Sequence, residues 1–265
     1  TISAPVQVAS ASADNVTSIS KAFTTANVTA GNYVVAFLDK FSPNVDAPAV
    51  GDLSNTGTCT LGAWTLLKTN SRNQTGTEYV HSAIAMAKVT VGGTCTVVWG
   101  GGIAACFWHI DLAEFPSTLP LKLEDSNGAN GSTGAPDTGN GTSAGAALFL
   151  ATVGTYTTGA TTHTKDTNFT EVGEEENGAV HMTGNSAYRL TASGLTDSSL
   201  WVAPTTVPWV CSLAVVREEI SSASPSVSPS ASKSPSASVS PSVSPSVSPS
   251  ASKSPSASVS PSSSV

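Results

Sequence analysis

Two residues in this chain have a spacing suited to proton chemistry. His109 and Asp111 form an HxD in a run of strand-forming residues. Side chains alternate along a strand, so both belong to one face. A metal or a general base would use such a pair. The competing reading is a hydrogen-bonded pair on a solvated face, opposite Trp108 and Ile110. The other histidines, His81, His163 and His181, have no ligand-set spacing. Glu171 and the run Glu174, Glu175 and Glu176 present carboxylates that would suit calcium. They precede Asn177-Gly178, a hairpin signal, which favours a solvated turn between strands.

No further motif carries chemistry. GxSxG, HExxH and a recognisable Ser-His-Asp spacing are absent. Gly100-Gly101-Gly102 has no following helix pattern and no Lys-Ser/Thr, so a phosphate loop is excluded. The chain reads as a non-enzyme with no cofactor and no metal site. Five tryptophans, Trp64, Trp99, Trp108, Trp201 and Trp209, fit a core. Trp201, close to Pro204, is the candidate for an exposed, glycan-stacking ring. Six Asn-X-Ser/Thr sequons occur, at Asn15, Asn27, Asn73, Asn130, Asn140 and Asn168, and matter where the host glycosylates asparagine.

Four cysteines, Cys59, Cys95, Cys106 and Cys211, contain no CxxC, which argues against zinc. The expectation is two disulfides in an oxidising setting, Cys59–Cys95 and Cys106–Cys211. The first pair lies in two Thr-Cys-Thr turns and the second in two aromatic-rich late strands. The alternative is buried thiols, which behave as small hydrophobes.

These residues sit among short runs rich in Val, Thr, Phe and Trp, punctuated by Gly, Asn, Asp and Pro. Ten such runs read as strands: residues 6–10, 18–24, 33–41, 64–69, 79–91, 95–99, 105–115, 146–155, 180–191 and 207–217. Alanines in residues 79–91 also permit a helix, but Val, Thr and Gly-Gly close that segment as a strand. The segment 126–143 reads as a long polar loop. The fold class expected is all-β, an antiparallel, jelly-roll-like sandwich over residues 1–219 in one domain. No apolar run of 18 residues occurs, so no membrane insertion is expected.

Residues 220–265 differ in kind. From Ser222 to Ser264 every second residue is serine, with Pro, Ala, Val and Lys between, and the pattern repeats. Such a segment cannot bury a core that offsets its ordering entropy. Recurrent proline favours extended, polyproline II backbone, about 3.1 Å per residue and at most about 140 Å overall. Ser226, Ser230, Ser236, Ser242, Ser246, Ser250 and Ser256 are candidate O-glycosylation sites. Phosphorylation at Ser224, Ser234 and Ser254 is the rival, and an unmodified flexible tail the simplest case. All 18 acids and nine of the 11 Lys and Arg precede this segment, leaving the body at −9. An acidic body excludes phosphate-backbone recognition, hence no nucleic acid, and disfavours anionic lipid.

The pattern resembles the jelly-roll β-sandwich domains of secreted bacterial surface proteins and phage virion structural proteins. The residues that carry it are Gly31-Asn-Tyr-Val-Val-Ala-Phe, Ala63-Trp-Thr-Leu-Leu, Ala105-Cys-Phe-Trp-His-Ile-Asp-Leu-Ala-Glu-Phe and Trp209-Val-Cys-Ser-Leu-Ala-Val-Val-Arg. The resemblance implies presentation, assembly or glycan contact and transfers no catalytic residue. The function expected is therefore a non-catalytic structural protein on a cell surface, extracellular filament or virion. It would partner with itself or a scaffold protein. The alternative is a carbohydrate-binding or adhesion module on a stalk. Secreted and virion origins stay open.

Overall fold

Residues 33–42, Tyr-Val-Val-Ala-Phe-Leu-Asp-Lys-Phe-Ser, show why this chain folds as it does. β-Branched and aromatic side chains suit a pleated surface, and here all ten positions are buried, so the strand is covered on both faces. The computed structural model describes residues 1–43, 47–101, 106–156, 162–177, 182–202 and 207–220. The serine and proline repeat, with its seven O-glycosylation candidates, and the Gly178 turn lie outside the described residues.

Among the described residues sixteen strands are antiparallel throughout, and the only helical element is the single turn Val50–Asp52. The first large sheet runs β1 (Gln7–Val16), β9 (Cys106–Phe115), β3 (Tyr33–Ser42), β7 (Tyr79–Val91). At β7 it continues to β5 (Thr60–Leu61) and β6 (Thr65–Asn73). The second runs β10 (Leu121–Gly131), β16 (Trp209–Glu218), β12 (Ala147–Tyr156), β14 (Met182–Thr191), β13 (Thr170–Asn177). A three-stranded sheet, β2 (Ile19–Ala22), β8 (Cys95–Trp99) and β4 (Leu53–Gly57), covers the far side of the first. A short pair, β11 (Gly141–Ser143) and β15 (Leu195–Asp197), lies over the far side of the second. The antiparallel all-β sandwich is as the composition led us to expect. The strands of residues 7–218 pack as one unit, and each large sheet is built from one half of the chain.

Alternation creates three apolar layers. Val34, Ala36 and Leu38 of β3 and Trp108, Ile110 and Leu112 of β9 meet Ile19, Val97 and Trp99 of the small sheet. Val35, Phe37, Ile84 and Phe115 meet Leu148, Leu150, Ala214 and Val216 between the large sheets. Phe149, Val153, Leu213 and Val215 meet Phe169, Trp201 and Leu195 on the far side. Each fully buried side chain of this size contributes about 1.5–3 kcal/mol.

Two expectations are corrected here. Residues 126–131 are not loop: they continue β10, which pairs with β16 from Leu121↔Glu218 to Gly131↔Trp209. Backbone hydrogen bonds form the ladder without apolar side chains, and β10 is an edge strand, where polar residues are favoured. The cysteines are all buried thiols. Cys106 faces the small sheet and its thiol donates to Ser42 Oγ at 3.6 Å. Cys211 lies on the far face of the second sheet. Faces of stacked sheets are about 10 Å apart, and these two are outer faces, beyond the ~4.4–6.8 Å Cα reach of a disulfide. The expected Cys106–Cys211 bridge is therefore absent. Cys59 and Cys95 do meet: their thiols hydrogen-bond each other, and burial first, then this contact, raises the Cys95 pKa.

Candidate functional site

Six strands change character at one level between the large sheets. Along β3 the inward series is Tyr33, Val35, Phe37, then Asp39, then Phe41. Along β9, read backwards, it is Phe115, Ala113, then Asp111 and His109, then Phe107. β7 gives Ile84, Ser82, Val80. β12 gives Leu150, Thr152, and then Gly154 before Tyr156. β14 gives Tyr188, Ser186, and then Gly184 before Met182. β16 gives Ala214, Ser212, Val210. A polar belt thus crosses the sandwich between two apolar clusters.

Registry makes the belt continuous. In the first sheet His109 lies opposite Asp39, and Asp39 opposite Ser82. In the second Ser186 lies opposite Thr152, and Thr152 opposite Ser212. Each facing pair of strands is joined by side-chain hydrogen bonds. Ser186 Oγ donates to Asp111 Oδ2 at 2.5 Å, Thr152 Oγ1 donates to Asp39 Oδ2 at 2.8 Å, and the Ser82 and Ser212 hydroxyls meet at 2.7 Å. His109 bridges the carboxylates. Its Nδ1 donates to Asp39 Oδ2 at 3.2 Å, and its Nε2 lies 3.2 Å from Asp111 Oδ1, an ion-pair contact poorly aligned for a hydrogen bond.

Glycines make room for the imidazole and carboxylates. A Cβ at Gly184 would overlap His109 Nδ1, and one at Gly173 of β13 would overlap Ser10 Oγ and press on Asp111. A Cβ at Gly154 would come 3.0 Å from Asp39. Burial alone would lower the His109 pKa, but the charge and contact of Asp111, then those of Asp39, push it up to about 10. The imidazolium is the state held at neutral pH, where its positive charge sits between the two carboxyl groups. Burial raises the Asp39 pKa, which His109 and Thr152 only partly offset.

The residue types are those of a general base with its orienting carboxylates. The access is not. His109 is 1% exposed and Asp39 and Asp111 are 0%, so a reactant would have to part the sheets. The HxD pair shares one face, as its spacing required, but that face is the inter-sheet core. The expected solvated setting is corrected. Its cause is the second sheet, whose Ser186 and Thr152 supply the hydrogen bonds that water would otherwise give.

Comparison with protein-family models, curated proteins and solved structures finds no match to this chain. The site must therefore be read from its own geometry.

The remaining candidates do not join the belt. Trp201, expected to be exposed, is fully buried against Phe169 and Trp209, and its backbone N–H donates to Pro136 O at 2.7 Å. The segment after β15 folds back over the second sheet and drives the ring inward, so it offers no stacking face. The Glu run falls on β13. Glu174 Oε1 accepts the His163 backbone N–H at 2.6 Å. His163 is buried, and burial first, then the charge on His109, lowers its pKa to about 4. His81 Nδ1 meets Ser71 Oγ at 2.7 Å on the opposite face of β7. Among the described residues no group of three or more His, Cys, Asp or Glu is placed to hold a metal.

Asp39, Thr152, Ser186, Ser82 and Ser212 were not identified from sequence. The available signal was a polar residue interrupting an otherwise apolar run in each strand, most plainly Asp39 within Val-Val-Ala-Phe-Leu-Asp.

Proposed function

We propose that this chain is a non-catalytic structural protein displayed on a cell surface, extracellular filament or virion. Its sandwich assembles with copies of itself or a scaffold protein, and residues 220–265 form a Ser/Pro stalk carrying O-glycans. The observation that carries the reading is the sealed belt: the His109, Asp39 and Asp111 constellation, which has catalytic residue types, joins two sheets and faces no solvent. Its three cross-sheet contacts, Ser186 to Asp111, Thr152 to Asp39 and Ser82 to Ser212, tie the two large sheets together, a property suited to a load-carrying head.

Assembly is supported by apolar surface at one end of the sandwich. Ile2, Ala146, Ala147 and Leu190 line a cleft of about 450 Å³, with Glu218 at its edge. Leu119 and Ile220 are exposed close to Pro120 and Glu219, which are hydrogen-bonded to each other. A soluble head that stays monomeric has little use for such a patch.

Sedimentation velocity of the full chain, with Leu190→Glu beside it, tests this. Multimers without added ligand, weakened in the variant, are expected. A monomer at all concentrations that binds saturably on a glycan array would overturn it and favour an adhesion module.

A further inference from the structure

Asparagine divides into two groups in this fold. All six sequon residues, Asn15, Asn27, Asn73, Asn130, Asn140 and Asn168, are exposed. So are all six hydroxyl residues two positions later, Thr17, Thr29, Thr75, Ser132, Thr142 and Thr170. Five other asparagines have described exposure and none is exposed: Asn32, Asn55, Asn70 and Asn127 are half-buried and Asn185 is buried. Four of those five work inside the fold. Asn32 donates to Glu114 Oε1, Asn55 to Cys59 O, Asn70 to Ala129 O and Cys211 O, and Asn127 to Asn140 O.

Burial of the middle residue goes with the outward pairing at three of the six. The middle residues Val28, Gly141 and Phe169 are buried, while the asparagine and hydroxyl flanking each of them are exposed. None of the six middle residues is proline, as an acceptor sequon requires. Asn15 gains exposure by another route. It is the bulged residue between Asp14↔Phe107 and Val16↔Cys106, with φ +51°, a conformation asparagine tolerates.

The carboxamides are not equally free. Those of Asn15, Asn27, Asn140 and Asn168 make no hydrogen bond within the described residues. Asn73 is held on both atoms: its Oδ1 accepts from Gly76 N at 2.6 Å and its Nδ2 donates to Tyr79 Oη at 3.0 Å. Its sequon hydroxyl, Thr75 Oγ1, donates to Glu78 Oε2 at 2.9 Å. Asn130 Nδ2 makes one long contact, 3.5 Å, to Ser71 O.

We infer that Asn15, Asn27, Asn140 and Asn168 are N-glycan acceptor sites of the folded head, and that Asn73 is not. The donor class is an oligosaccharide linked through pyrophosphate to a lipid. In the transfer the asparagine amide nitrogen attacks the anomeric carbon. The N–C bond forms, the C–O bond to phosphate breaks, the lipid pyrophosphate leaves with the electron pair, and the amide proton passes to a transferase base. No electron is gained or lost. The use of these sites in the living host rests on the extracellular setting proposed above; their competence rests on the fold alone.

Two measurements separate these. The folded full chain is incubated with a purified oligosaccharyltransferase and a lipid-pyrophosphate oligosaccharide, then mapped by peptide mass spectrometry. Transfer to the four free asparagines at ten or more times the rate at Asn73 is expected, with loss of the added mass in the four Asn→Gln variants. No transfer to the folded chain, or equal transfer at Asn73, overturns the inference. Native material is then treated with peptide-N-glycosidase in heavy-oxygen water, which labels each formerly occupied site. Label at the four sites supports both readings. Bare asparagines in native material, after successful transfer in vitro, overturn the use of these sites in the host and leave the acceptor assignment standing.

Discussion

His109→Leu is the sharpest perturbation of the polar belt. The substitution leaves Asp39 and Asp111 buried without their cation. His109 holds its proton in the fold up to about pH 10, against an ordinary value of 6.5. At pH 7 this difference amounts to about 4 kcal/mol, at roughly 1.36 kcal/mol for each tenfold change in proton affinity. Removing one member of a buried ion pair costs about 3–5 kcal/mol by an independent measure. The two agree, and the loss is a large part of a typical domain stability of about 5–15 kcal/mol. The assay is urea unfolding of the full chain followed by tryptophan fluorescence at pH 7. The midpoint should fall with the slope unchanged. The sign with pH is also fixed. A raised folded pKa gives a contribution complete below about 6.5 and lost as pH rises through about 10. Asp39, also raised, acts in the same direction at lower pH. Wild type should therefore lose stability from pH 6.5 to 10, and the variant should lack that slope. A loss below about 1 kcal/mol, or the same alkaline slope in both proteins, would refute the reasoning.

Other outcomes follow from single contacts. Ser212→Ala leaves the buried Ser82 hydroxyl without its partner and should cost about 1–3 kcal/mol, Ser82→Ala should cost less because Ser212 Oγ keeps its 3.3 Å bond to Ser82 O, and the double variant should be close to neutral; a double-mutant cycle in urea checks this. Oxidised protein should contain a Cys59–Cys95 disulfide and free Cys106 and Cys211 by non-reducing peptide mapping, with roughly 4 kcal/mol gained by closing that loop in the chain-entropy model. Glu114 accepts Gln7 Nε2, Thr29 N and Asn32 Nδ2 at 2.6–2.7 Å. Glu114→Gln turns an amide N–H₂ against one of these donors and should cost about 1–3 kcal/mol, with faster hydrogen exchange confined to residues 26–32. His163 has a lowered folded pKa, so its contribution is present above about 6.5 and lost as pH falls to about 4; His163→Gln should flatten the acid limb of the stability profile measured by thermal unfolding.

Much of this architecture was legible. Runs such as Tyr-Val-Val-Ala-Phe-Leu specify strands by side-chain type, and Gly, Asn and Pro specify where they stop. The HxD spacing placed His109 and Asp111 on one face. What strand alternation does not tell is what lies opposite that face. Solvent and a second sheet impose the same period of two, so the pair looked like a surface feature. The partners Thr152 and Ser186 come from the other half of the chain, and only tertiary pairing brings them to His109. Trp201 failed for a related reason. Its setting close to Pro204 reads as a surface loop, but Trp201 itself packs on the second sheet with Phe169 and Leu213. The cysteines misled because aromatic-rich strands were assumed to adjoin through their side chains. Cys106 and Cys211 point away from the shared interface, each into its own outer layer.

The proposal that bears most weight is assembly of the sandwich through its apolar end. The most direct measurement is sedimentation velocity of the native full chain across a wide concentration range, without ligand. The account predicts a discrete multimer that Leu190→Glu dissociates, while His109→Leu alters stability and not the interface. A monomer at every concentration, or a multimer indifferent to the cleft of Ile2, Ala146 and Leu190, would contradict it.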